Sequence, residues 1–148
     1  ITTMSDYEKI LNKNLLNVFI DILKDIEKNG LKGDNHLYIT FATNNPKTSI
    51  PKWLLLKYPE EMTIVIQYEY YNLSVNKNDF NIGLSFNNKK SNLLIPFNSV
   101  ISFADPSNNF GLNYKFNKLN TKKEKNIKNN KKNKNSSNVI DFTNYKKN

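Results

Sequence analysis

The side chains able to act on a covalent bond are few and scattered. His36 is the single histidine and the chain has no cysteine, so no His/Cys metal site can form around it. Beside a strand start, His36 reads as a structural residue. Glu60-Glu61 looks like a carboxylate pair, but adjacent strand residues point to opposite faces, which prevents them from sharing a proton in acid–base work. The chain has only 4 glycines, with neither a P-loop nor a G-x-G-x-x-G run, and nothing near His36 resembles a nucleophile elbow. The residues predict no enzyme, no metal and no cofactor. What they offer instead is recognition. At the far end, Val139-Ile140-Asp141-Phe142-Thr143-Asn144-Tyr145-Lys146-Lys147 follows a segment that is nearly all Lys and Asn. A tail that only has to stay in solution does not need Val, Ile, Phe and Tyr at its tip.

Charge divides the chain in the same way. All 22 basic residues are lysines, and the formal net charge is +9. Residues 1–114 carry 11 Lys and 11 acids, whereas residues 115–148 carry 11 Lys against Glu124 and Asp141, so the whole excess lies in the tail. A basic face on a folded domain would indicate nucleic acid. A basic block in a polar tail indicates a solvated, extended, interaction-prone segment. There is no charged region followed by an apolar run of the signal-peptide kind, and no apolar run approaches the roughly 20 residues that span a bilayer. The expectation is a cytoplasmic protein.

The elements that must present these features follow from periodicity. Ser5-Asp6-Tyr7-Glu8 is a capping box. Behind it Tyr7, Leu11, Leu15, Val18, Ile22 and Ile26 recur at helical spacing, and Gly30 is placed to end the helix. A second set, Leu16, Phe19, Ile20 and Leu23, widens the apolar stripe beyond what one buried face needs. That surplus predicts a second contact, most simply another copy of the chain, and so a homodimer. From Asp34 the period becomes two: Leu37, Ile39 and Phe41 alternate with Tyr38, Thr40 and Ala42. Pro51–Tyr58 has room for one helical turn containing Trp53. Glu61–Tyr71, Phe80–Phe86, Asn92–Phe103 and Phe110–Phe116 read as further strands between polar turns. A mainly β fold results: an N-terminal helix followed by a small antiparallel barrel, then a disordered tail. Pro96 marks an edge or a bulge, and Gly83 permits close backbone approach, both of which suit a domain that accepts an extended peptide. The competing reading is a small barrel that binds RNA, with Tyr68, Tyr70, Tyr71, Phe80 and Phe86 stacking bases. The net-neutral body, without Arg, is a weak phosphate-binding surface.

Several segments are similar to one family. Leu31-Lys32-Gly33-Asp34-Asn35-His36-Leu37-Tyr38-Ile39-Thr40-Phe41 resembles the G-x-P-G-D-H-H-F-Y-I-T-F segment of the α-proteobacterial type of SspB, stringent starvation protein B. Tyr58-Pro59-Glu60-Glu61-Met62-Thr63-Ile64-Val65-Ile66-Gln67 resembles its Y-P-E-E-M-T-I-V-L-Q run. Leu84-Ser85-Phe86 and Phe110-Gly111-Leu112 match its L-S-F and F-G-L, and Ile95-Pro96-Phe97 with Val100–Ser107 resembles its V-P-F-x-A-I-T-x-F-x-D-P-S.

The resemblance implies a dimeric adaptor with an Sm-like barrel, which holds the ssrA degradation tag of stalled-translation products and delivers tagged proteins to the ClpXP protease. It implies tag contacts on the Phe80–Phe86 strand, at Ile82, Gly83, Leu84, Ser85 and Phe86, with Thr40, Gln67 and Asn113 as polar contacts. It implies that Val139, Ile140, Asp141, Phe142, Tyr145, Lys146 and Lys147 bind the ClpX N-domain, as a shortened V-V-x-L-D-x-F-R-K-K with Tyr145 in the Phe place and no counterpart of the Arg. The expected organisation is a dimerisation helix over 1–30, a tag-binding body over 31–116, a flexible linker over 117–138 and a docking motif over 139–148. The 22-residue linker spans roughly 26 Å as a flexible coil.

Overall fold

Ser5 opens the first helix, α1 (Asp6–Asn29), through the capping box: its Oγ accepts from the Glu8 N–H at 3.1 Å, and Glu8 Oε1 accepts from the Ser5 N–H at 3.0 Å. Gly30, at φ 80°, closes it by donating its N–H to the Ile26 carbonyl at 2.8 Å. The computed structural model describes residues 5–67 and 69–114. After α1 come β1 (Leu37–Ala42), α2 (Lys52–Lys57), β2 (Glu61–Ile66), β3 (Tyr71–Val75), β4 (Asp79–Phe86), β5 (Lys89–Pro96), β6 (Val100–Asp105) and β7 (Phe110–Asn113). Every pairing is antiparallel, in a four-stranded sheet of order β2-β1-β6-β7 and a three-stranded sheet of order β3-β4-β5. The fold is the expected one, mainly β and barrel-like behind an N-terminal helix.

The alternation of β1 places Leu37, Ile39 and Phe41 in the core. Phe19 of α1 enters the same core, with its ring centroid 5.9 Å from Phe80, 6.2 Å from Phe97 and 5.4 Å from Phe103. Edge-on and tilted packing of this kind is favoured by the ring quadrupoles. The face that α1 buries is therefore Phe19, Leu23 and Ile26, drawn mainly from the second apolar set. Of the first set, Tyr7 is 85 % exposed, and Leu11 and Val18 are also exposed. Two of the four residues read as a dimer contact, Phe19 and Leu23, are 0 % exposed within a single chain and have no surface to give a partner; Leu16 and Ile20 are half-buried.

The run Glu61–Tyr71 is broken after Ile66 into β2 and β3, and the run Asn92–Phe103 is broken after Pro96 by a 3-10 turn, Phe97–Ser99. Pro96 ends β5, an edge strand of its sheet, where a missing N–H costs no ladder bond. Asn87 and Asn88 form the two-residue β4–β5 turn with φ of 52° and 65°, the left-handed pair that matches hairpin twist. At the end of β7, Tyr114 is fully buried. Its hydroxyl donates to the Leu15 carbonyl at 2.9 Å and its N–H to the Ile101 carbonyl at 2.7 Å, which ties this end of the described chain to α1. Burial pushes the Tyr114 pKa well up from its ordinary value. No helix among the described residues is long and apolar enough to cross a membrane.

Candidate functional site

The two sheets leave a gap between β2 and β4. Strand β2 is an edge, paired only with β1 among the described strands. Among the described residues β3 pairs with β4 no further than Tyr71 opposite Gly83, and Leu84–Phe86 are paired with β5. A cavity of about 310 Å³ lies there, lined by Thr63, Ile64, Val65, Gln67, Glu69, Leu84, Ser85 and Phe86. Consecutive strand side chains point to opposite faces. A cavity lined by three consecutive residues from each of two strands is therefore lined by their edges, where backbone N–H and C=O groups point outward. A gap between two strand edges has the geometry that an extended peptide can fill as an added strand, where affinity comes from main-chain hydrogen bonds and selectivity from alternate side chains.

The ends of the gap are distinguishable. Trp53 of α2, which precedes β2, packs edge-on against Phe86 with centroids 6.5 Å apart, and Tyr71, which follows β2, lies at Gly83. The Phe86 end carries Lys89 of the hairpin, and the Tyr71 end carries Lys90. The Lys89 ammonium sits 4.9 Å from the Trp53 ring centroid and that of Lys90 5.6 Å from the Tyr71 ring, within cation–π range.

Of the residues expected to hold a tag, Gln67, Leu84, Ser85 and Phe86 line this cavity together. Thr40 and Asn113 do not line it. They lie on the open face of the four-stranded sheet, in a row of cross-strand partners, Thr63–Thr40–Ser102–Asn113. The Thr40 and Thr63 hydroxyls are 2.7 Å apart, so Thr63 joins that row to the cavity. Ile82 is 1 % exposed and belongs to the core. Gly83 does allow close approach, but of the protein's own ring: a Cβ placed there would overlap the Tyr71 side chain. Aromatic cover of a strand glycine is a known sheet device. The sequence reading missed Thr63, Ile64, Val65 and Glu69 in the cavity wall and Trp53 and Tyr71 at its ends.

A second cavity, about 360 Å³, lies between the end of α1 and the β6–β7 region. Its most buried carboxylate, Asp105, is already engaged by Ser107 at 2.6 Å and Asn108 at 2.8 Å, which marks a braced loop. Among the described residues no group of three His, Cys, Asp or Glu side chains is placed to hold a metal ion.

A comparison with protein-family models finds a match to Stringent starvation protein B, SspB, over residues 10–147. The chain belongs to the SspB family. This is a family of adaptor proteins and not a known enzyme family. No curated protein matches the chain. The SspB match takes in most of α1, all of the body and the Lys/Asn-rich segment through Lys147. The residues expected to bind ClpX, Val139, Ile140, Asp141, Phe142, Tyr145, Lys146 and Lys147, lie outside the described residues, as does Tyr68.

Proposed function

We propose that this SspB-family chain is a proteolysis adaptor: it binds the ssrA degradation tag as an extended strand in the β2–β4 gap and tethers tagged proteins to ClpXP through its C-terminal segment. The observation that carries this reading is the gap itself, flanked on each side by a strand edge that is unladdered among the described residues, with four of the residues expected at the tag site in its wall. The family match through residue 147 supports a role for the tail tip, and the Y-P-E-E-M-T and D-P-S segments support the α-proteobacterial type. ClpXP as partner places the protein in the cytoplasm. The exposed apolar turns of α1 support a homodimer.

The test is fluorescence anisotropy of a labelled ssrA-tag peptide titrated with the full chain, with a single-stranded RNA in parallel. Saturable peptide binding is expected. Ser85→Arg, at an exposed position in the cavity wall, is expected to weaken it about tenfold, the equivalent of roughly 1.4 kcal/mol. RNA binding by residues 1–114 together with no peptide binding would overturn the proposal.

A further inference from the structure

Helix α2 carries more apolar surface than its fold needs. Its sequence is Lys52-Trp53-Leu54-Leu55-Leu56-Lys57, yet only Leu54 enters the core. Leu55 and Leu56 are exposed, Leu56 to 74 %. Trp53 and Leu56, three residues apart, share one side of the helix. The Trp53 ring meets Phe86, a wall residue of the β2–β4 cavity, and lies under Lys89. The Phe86 wall of the cavity therefore abuts Trp53 of α2. Charge is unbalanced here. Lys52 and Lys57 flank the apolar run and Lys89 stands over Trp53, three cations against Glu60 and Glu61 just beyond the helix.

We infer that the Trp53–Leu56 shelf is a specificity subsite for the stretch of bound peptide that leaves the gap at its Phe86 end, and that it selects a bulky apolar residue neighboured by a carboxylate. This rests on the proposed peptide-binding role of the gap. Contact with the cavity wall and the excess of lysine favour this occupant. A second copy of the chain is a poorer fit, because a stable protein–protein interface buries about 800 Å² per partner, and one Trp and two Leu on a six-residue helix fall far short of that. Two side chains of a peptide already held by its backbone need no such area.

The experiment is a set of anisotropy titrations using the labelled ssrA-tag peptide and versions with each residue in turn replaced by Ser. Each is measured against the full chain, Leu56→Ser, Lys89→Glu and Ser85→Arg, with circular dichroism melts and light scattering on every variant. Leu56→Ser is expected to weaken the parent peptide about fivefold through lost apolar contact, and Lys89→Glu about two- to fivefold, the scale of an exposed ion pair. One apolar position of the peptide should lose its effect in Leu56→Ser, the non-additivity of groups in contact. Parent affinity in both shelf variants, with weakening in Ser85→Arg, overturns the subsite and leaves the gap as the peptide site. Parent affinity in all three variants removes the gap and the shelf together. A change of mass in Leu56→Ser without change in peptide affinity assigns the shelf to a second copy and also overturns the inference.

Discussion

Gly83 shows how one residue can be read correctly for its freedom and still be assigned the wrong visitor. A glycine inside a strand of alternating Phe, Ile and Leu signals close approach, but the sequence does not say by what. In the fold the space belongs to Tyr71, its direct cross-strand partner, and the Lys90 ammonium reaches the same ring. A larger side chain at Gly83 must first displace Tyr71. Gly83→Ala is therefore expected to lower stability by about 1–3 kcal/mol, the usual cost of overpacking. Tyr71→Ala in the same chain should remove the clash and make the pair of substitutions less costly than their sum. Urea unfolding of the two single variants and the double variant checks this; additive losses would mean that the ring does not oppose the new methyl group. Ser85, two residues on, is exposed and lines the cavity, which makes it the cleaner position for probing binding without disturbing the fold.

At the scale of elements, α1 carries two apolar stripes, and helical periodicity cannot rank them. The body decides. Phe19, Leu23 and Ile26 fill the space between the sheets, while Tyr7, Ile10 and Leu11 lie on exposed early turns of the helix. If α1 pairs two chains, the contact must use these exposed turns. Leu11→Asp is expected to leave monomer stability within about 0.5 kcal/mol, as at an ordinary surface site, while converting a dimer to a monomer in light scattering. Phe19→Ala, which empties a core position, should instead cost about 3–5 kcal/mol in urea unfolding. A wild-type chain that is monomeric at micromolar concentration would remove the pairing. Other elements were legible because their signals are local: the capping box at Ser5, the period-two runs of β1 and β4, and the short helix at Pro51. The β2–β3 boundary was not, because Gln67–Tyr70 contains neither Gly nor Pro to mark a turn. The cavity was only half legible for a related reason. Its two walls lie about twenty residues apart in sequence, and which strand edges stay unladdered is set by where β3 stops, a property of long-range pairing that alternation does not encode.

The whole molecule separates charge from fold along its length. The body has equal numbers of Lys and acids and contains the gap, whereas residues 115–148 hold the entire +9 charge and the mixed apolar tip. Tyr114, buried and bonded to the Leu15 carbonyl, marks where the described body ends. In the proposed role a peptide site on the body and a recognition motif on the tail act together without touching: a 22-residue linker with the dimensions of a coil spans roughly 26 Å r.m.s. and sets an effective concentration on the order of mM. Under the proposed role, removing residues 139–148 takes away the second contact and leaves the first. The truncated chain should bind an ssrA-tag peptide with unchanged affinity. It should also fail to accelerate ClpXP degradation of a tagged fluorescent protein at substrate concentrations well below KM, where tethering has its effect; at saturating substrate the difference from the full chain should vanish. Shuffling residues 117–138 at constant composition should leave both activities intact, since a leash is specified by length and solvation and not by sequence. Full acceleration by the truncated chain at low substrate would show that delivery does not pass through the tail tip, and loss of peptide affinity on truncation would place part of the binding site in the tail.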